Sequence, residues 1–171
     1  MTVDTSRAAR PRTSSRTRRD ESAATSYAAT PGIRSRMQMQ RTRDTAPELA
    51  LRRHLHARGL RYRVDREPLP GLRRRADIVF GPARVAVYVD GCFWHGCPAH
   101  GNPRPASNGW YWPAKIATNK ARDTDTDQRL TAAGWAVIRC WEHDDPAEVA
   151  ARVEAVVRDR RRLAGLAYPP E

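Results

Sequence analysis

The chain is short of cysteine, of acidic residues and of long apolar runs. Only three cysteines, Cys92, Cys97 and Cys140, occur among 171 residues. An odd, small number is a poor disulfide framework, so the thiols are read as reduced and open to other chemistry. No apolar run approaches the roughly 20 residues of a membrane helix, so no membrane partner is expected. The N-terminal Met1-Thr-Val-Asp-Thr-Ser-Arg-Ala-Ala-Arg has no apolar signal region, and the expected location is the cytoplasm. Acidic residues are scarce against basic ones: 19 Asp+Glu face 31 Lys+Arg, for a formal net charge of +12. A balance this lopsided makes a polyanion, most simply nucleic acid, the expected partner, with a basic solubility surface as the rival.

What is present falls into segments. Residues 1–34 are rich in Arg, Ser, Thr and Ala and cannot bury enough surface to offset the entropy of ordering. They are expected to be a disordered basic tail, with a folded domain over 35–164 and a C-terminal tail over 165–171. Thr45-Ala-Pro-Glu48 has the form of a capping box with Pro in the first turn, predicting a helix through Leu51 and Leu55 that stops at Gly59. Leu60, Tyr62 and Val64 alternate as in a strand. Ala76-Asp-Ile-Val-Phe80 and Val85-Ala-Val-Tyr-Val89 predict two strands joined by a Gly-Pro turn. Pro113 opens a long helix ending before Gly134. Trp135-Ala-Val-Ile-Arg-Cys-Trp141 predicts the next strand, and Asp145-Pro146 starts a last helix with Val153, Val156 and Val157 on its apolar face. Helix, three strands, helix, strand, helix implies an α/β fold, a mixed central sheet flanked by helices. This is also the core order of restriction-endonuclease-like (PD-(D/E)XK-type) nucleases.

The hairpin carries two carboxylates. If Ile78 and Phe80 share the core with Val85, Val87 and Val89, then Asp77 shares the opposite face with Ala86, Tyr88 and Asp90. Asp77 then lies near position 88, with Asp90 as its diagonal neighbour within about 8 Å. Two carboxylates at one sheet edge repel unless a positive group sits between them, and a hard divalent cation such as magnesium would satisfy both. Such an ion could activate water and stabilise charge on a transferring phosphate. The alternative is solvated strand-end residues paired with Arg73, Arg74 or Arg75.

The stretch Asp90-Gly-Cys-Phe-Trp-His-Gly-Cys-Pro-Ala-His100 concentrates soft ligands, an imidazole and two adjacent aromatics at a strand end. Cys92, Cys97 and His100 have the spacing of three ligands of a tetrahedral zinc. The fourth is His143 or Cys140. His143 is preferred because a loop residue can turn to the site, whereas a thiol within a strand is usually buried as a small apolar group. A zinc with four protein ligands leaves no position for water and would be structural. Phe93 and Trp94 suit a wedge that stacks or intercalates between bases, the alternative being a small core over the loop. Of Trp110, Tyr111 and Trp112, one is expected to face DNA while the others pack. His95 could take a proton from an attacking water, or serve as a zinc ligand or phosphate contact.

Several of these motifs carry a resemblance. From Ile33 to about Pro146, the chain resembles the very short patch repair (Vsr) DNA mismatch endonucleases. The resemblance lies in Arg43-Asp-Thr-Ala-Pro-Glu48, Ala76-Asp-Ile-Val79, Gly91-Cys-Phe-Trp-His95, Tyr111-Trp112 with Lys115-Ile116, Arg122-Asp123, and Gly134-Trp135 leading to Trp141-Glu142. It implies a restriction-endonuclease-like fold with a structural zinc, and magnesium-dependent nicking of double-stranded DNA 5′ to the thymine of a T:G mismatch, the product of 5-methylcytosine deamination. It further implies Asp77 as the catalytic metal-binding aspartate, His95 as the histidine that activates water, and Glu48 as a glutamate near the active site. Phe93 and Trp94 fall on the intercalating aromatics, Trp112 on a third DNA-contacting tryptophan, and Met37 on a methionine entering from the opposite groove. The family's best-known member has a histidine where this chain has Asp90, a departure at the second metal contact, and the hairpin argument favours Asp90 as binding magnesium directly. The zinc pattern is rearranged, with Cys97 and His100 in place of a His-then-Cys pair and His143 where a cysteine is expected. Expected partners are T:G-mismatched duplex DNA and mismatch-repair factors, with the chain a monomer associated with the nucleoid. The rivals are a restriction-like nuclease on intact sites and a non-catalytic zinc DNA-binding module.

Overall fold

The computed structural model describes residues 43–101 and 111–165. Met37, the expected tail over 1–34 and Trp110 lie outside the described residues. The element order is α1 (Ala46–Ala57), β1 (Arg63–Arg66), β2 (Ala76–Phe80), β3 (Val85–Asp90), α2 (Tyr111–Ala132), β4 (Ala136–Trp141) and α3 (Pro146–Leu163). No helix among the described residues is long and apolar enough to cross a membrane.

The sheet has the order β1-β2-β3-β4, antiparallel through β1, β2 and β3, with β4 parallel to β3. A parallel neighbour needs a crossover, and α2 supplies it. In the hairpin Ile78 pairs with Val87 and Phe80 with Val85, the register expected from the apolar alternation. The tight turn is closed by Arg84 N–H donating to Gly81 O at 3.0 Å.

Both sheet faces are covered, which the near-continuous burial of β2 and β3 requires. One face packs Ile78, Phe80, Val85, Val87, Ile138 and Cys140 against Leu51 and Leu55 of α1 and Val149, Val153 and Val157 of α3. Ile78, Val85, Val87, Leu55, Val153 and Val157 are fully buried, each contributing about 1.5–3 kcal/mol. The other face packs Val79, Ala86 and Tyr88 against Leu130 of α2, with Leu72, Trp135 and Val137 around them.

Helix ends follow local chemistry, with one correction. The Asp145 carboxylate caps α3 by accepting from Ala147 N–H at 2.7 Å. Gly59, at φ +72°, ends α1 while Leu60 N–H donates back to Leu55 O. The expected capping box at Thr45 is not formed in the usual way. The Thr45 side chain makes no cap bond to the backbone and instead donates to Glu48 Oε1 at 2.9 Å, while Glu48 Oε2 accepts from Asp44 N–H at 3.0 Å. A buried carboxylate is the stronger acceptor, so it takes the hydroxyl proton. Two elements also begin off their expected starts. α2 starts at Tyr111 rather than Pro113, and the first strand is limited to Arg63–Arg66.

Candidate active site and metal centre

The functional side chains collect where β2 begins and where β3 and β4 end. Crevices outside the carboxyl ends of strands are common ligand sites in α/β sheets. The β3–β4 register pairs Asp90 with Trp141, so the loops leaving these strands run side by side. They are tied by Glu142 N–H to Asp90 O at 3.0 Å and by Cys92 N–H to Glu142 Oε1 at 2.7 Å.

That adjacency brings the thiols and imidazoles together. The ligand atoms of Cys92, Cys97, His100 and His143 all lie within 4.8 Å of one another. Cys92 Sγ is 3.0 Å from His143 Nδ1. A tetrahedral zinc at ordinary Zn–S and Zn–N lengths has ligand–ligand edges of roughly 3.3–3.8 Å, so small adjustments would let these four groups hold one. The chemistry of the donors fits as well. Burial first, and then the Cys97 sulfur and the Glu142 carboxylate, push the Cys92 thiol up to about 12. A soft cation between the sulfurs would relieve that crowding. Cys140 takes no part. Its parity in β4 turns it into the core beside Ile138, where Sγ donates to Tyr88 O at 3.4 Å.

The carboxylates form a second group with a different balance. Asp77 Oδ2 accepts Val89 N–H at 2.7 Å. Burial raises the Asp77 carboxyl to about 6 against the help of that N–H, and the charges of Glu48 and Asp90 push the same way. A buried carboxylate under pressure from two others suits a hard cation, and Asp77 is placed to hold one. Glu48 is buried and accepts from Asp44 N–H, the Thr45 hydroxyl and Arg52 Nη2, the last at 2.8 Å. It acts on Asp77 through its field.

Asp90 has a partner that sequence reading missed. Arg139 Nη1 donates to Asp90 Oδ1 at 2.8 Å and to Oδ2 at 3.0 Å. Burial keeps the Asp90 carboxyl above its ordinary value even though Arg139 and His95 draw it down. Among the described residues, Asp90 also clusters with His95 and Asp123, their ligand atoms within 4.8 Å of one another. Of the arginines considered as partners for the hairpin carboxylates, Arg74 pairs with Asp125 and Arg75 with Asp65.

His95 Nδ1 lies 2.6 Å from Asp123 Oδ2 and 3.5 Å from Asp90 Oδ1. Burial would raise Asp123, but the His95 hydrogen bond and the Arg139 charge outweigh it and hold this carboxyl below its ordinary value. An ionised carboxylate only accepts, so Nδ1 carries a proton, and in the neutral form of the ring Nε2 is the acceptor. The loop is pressed onto α2. Asn119 Nδ2 donates to Trp94 O at 2.8 Å, and a Cβ on Gly96 (φ +61°) would sit 2.8 Å from Ile116 and Lys120. Asn119, Asp123 and Asp127 recur every four residues on one helix face, a signal visible in the sequence but not used.

Phe93, Trp94 and Trp112 pack edge-to-face, with centroids 5.3 Å apart for Phe93–Trp94, 4.8 Å for Phe93–Trp112 and 5.6 Å for Trp94–Trp112. Trp112 is buried, and Phe93 and Trp94 are half-buried in front of it. A cleft of about 290 Å³ opens at the carboxylate and imidazole cluster, lined in part by Asp90, His95, Lys120, Asp123 and Arg139.

The chain is also similar in sequence to known proteins. The family described as DNA mismatch endonuclease Vsr matches residues 28–100. The chain is 46% identical over 119 residues, 68% of its length and 71% of the relative's, to the type II nicking enzyme V.NaeI of Lentzea aerocolonigenes. It is 39% identical over 134 residues, 75% of its length and 87% of the relative's, to the type II nicking enzyme V.NmeDIP of Neisseria meningitidis serogroup C. It is also 39% identical over 101 residues to the DNA mismatch endonuclease Vsr of Escherichia coli K12, covering 59% of this chain and 63% of that protein.

Proposed function

The chain belongs to the Vsr family of DNA mismatch endonucleases and is a DNA endonuclease, and we propose that it nicks double-stranded DNA 5′ to the thymine of a T:G mismatch. The observation that carries this reading is the imidazole of His95, fixed by Asp123 at 2.6 Å in the same short loop as the aromatic pair Phe93 and Trp94. A proton acceptor and a wedge are thereby held in one register. The fold type proposed is the restriction-endonuclease-like core.

Asp77 would hold a catalytic magnesium, with Asp90 as its second contact through the lone pairs that Arg139 leaves free. That ion would supply Lewis acidity at the phosphate and lower the pKa of a bound water. His95 Nε2 accepts the proton of the attacking water while Asp123 holds Nδ1–H. Glu48 sustains the negative field that draws a cation to Asp77. Cys92, Cys97, His100 and His143 would hold a zinc whose four protein ligands leave it no chemistry beyond fixing the loop. Phe93 and Trp94 would enter the base stack, with Trp112 behind them and Met37 from the opposite groove. Unstacking costs a few kcal/mol per step, so a mismatch, already weakened, is the step that yields. The names of the nicking relatives favour cleavage of one strand. A T:G repair role places the chain as a monomer on chromosomal DNA in the cytoplasm, alongside mismatch-repair factors.

The test is nicking of end-labelled duplexes that are identical except for one T:G pair, with and without magnesium. Mismatch-dependent, magnesium-dependent nicking is expected. Equal cleavage of the matched duplex would mean a nuclease acting on intact sites. Binding without cleavage, unchanged in Asp77→Ala, would mean a non-catalytic module.

A further inference from the structure

Arg139 is the most heavily engaged side chain near the site, and neither its motif nor the zinc and magnesium readings give it a task. It stands on β4, on the sheet face opposite Cys140, where parity places it beside Tyr88 and Asp90. Its guanidinium carbon lies 4.6 Å from the centroid of the Tyr88 ring. Nη1 donates to both oxygens of Asp90, Nε to both oxygens of Asp127 at 3.1 and 3.0 Å, and Nη2 lies 3.4 Å from Asp123 Oδ1. Burial opposes the charge, but Asp127, Asp90 and Asp123 outweigh it and hold the guanidinium above its ordinary pKa. One planar cation thus joins the end of β3 to two successive turns of α2.

We propose that Arg139 is a positioning residue for His95, acting through Asp123 and Asp90. Two carboxylates lie close to the single Nδ1–H: Asp123 at 2.6 Å and Asp90 at 3.5 Å. Arg139 separates their roles. It takes both oxygens of Asp90 and only Oδ1 of Asp123, leaving Asp123 Oδ2 for the imidazole. Without the guanidinium, three partly buried carboxylates face one another uncompensated, Asp90 is free to compete for Nδ1–H, and the ring loses its single orientation. Lysine cannot replace it, because a point charge cannot serve three carboxylates in fixed directions. The arrangement also explains how an aspartate is accommodated at position 90 beside Asp123. This inference rests on His95 being the proton acceptor of the proposed reaction.

The experiment uses the full chain as purified, in Arg139→Met, Arg139→Lys and His95→Ala forms. Single-turnover nicking of a T:G duplex is measured together with DNA affinity. Imidazole 15N spectra, recorded without magnesium across a pH series, report the protonation state and tautomer of the ring. The native chain is expected to show His95 as one tautomer with the proton on Nδ1. Arg139→Met is expected to show a mixture, a nicking rate about 10–100-fold lower and DNA affinity within about threefold of native, as for partners that orient a reacting ligand. Arg139→Lys keeps a positive charge among the carboxylates and is expected to fold but to recover less than half of the rate, and it serves if the Met variant does not fold. A native rate in either folded variant overturns the inference, as does a slower rate with the His95 tautomer unchanged. If His95→Ala nicks normally, the reading of His95 itself falls. If it is inactive while Arg139→Met is fully active, only the positioning role falls.

Discussion

Two clusters share one short loop and are balanced in opposite ways. Cys92, Cys97, His100 and His143 converge with their ligand atoms within 4.8 Å of one another, and the carboxylate of Glu142 adds to the crowding. Asp90, His95 and Asp123 converge around a guanidinium already supplied by the chain. The first arrangement calls for an ion to complete it. The second is largely complete and holds an imidazole ready. A loop of this kind can be strongly anchored on one side while keeping a proton acceptor open on the other. In the function proposed above, the soft donors serve structure and the hard donors with their fixed cation serve chemistry.

The largest expected effect tests the anchored side. Structural zinc contributes about 10–16 kcal/mol of apparent binding free energy in small domains, so its loss should collapse the loop. Cys97→Ala or strong chelation is expected to abolish both metal content and mismatch binding, measured by elemental analysis and fluorescence anisotropy. A native chain purified without zinc would end the contrast between the clusters. Next comes the chemical side. His95→Ala should lower nicking by about 10²–10⁴-fold while retaining zinc, because it removes a proton acceptor and not a ligand. Loss of zinc in that variant would merge the two clusters into one.

A smaller effect concerns charge held without an ion. The folded-state carboxyl of Asp77 sits near 6, above its ordinary value. Burying its charge therefore destabilises the magnesium-free fold once pH rises through the unfolded value, reaching a plateau above the folded value. Asp77→Asn should make the magnesium-free protein more stable at pH 7 by on the order of 2–3 kcal/mol, with the gain vanishing near pH 4, while nicking is lost. Urea unfolding at the two pH values measures this, and a destabilised variant at pH 7 would contradict it. The smallest effect is at Cys140, which belongs to the core. Cys140→Ala should cost about 1 kcal/mol and leave one zinc per chain, whereas His143→Ala should lose the metal.

Much of the site was readable from spacing. Cys92, Cys97 and His100 are close in sequence, so their convergence is a local matter, and a loop position beyond the last strand favoured His143. The hairpin register followed from matching Ile78 and Phe80 to Val87 and Val85, because a slip of one residue would expose the core face. Asp123 and Arg139 were harder. Asp123 stood within a recognised dipeptide but had no task until α2 was laid across the loop. Arg139 interrupts an apolar strand, a signal in itself, yet its partner depends on which strand β4 joins.

By itself, the sequence determined the alternation of elements, the two-sided core and the local grouping of Cys92, Cys97 and His100, because each depends on periodicity or short-range spacing. Only the tertiary structure decided how the charges pair. Asp90 meets Arg139 because β4 lies parallel to β3 with Tyr88 opposite Arg139, and His95 meets Asp123 because Gly96 lets the loop press against α2. Those contacts join residues 49 and 28 positions apart. No local propensity encodes them, since the strand order and the packing of α2 on the sheet arise from burial of the whole core.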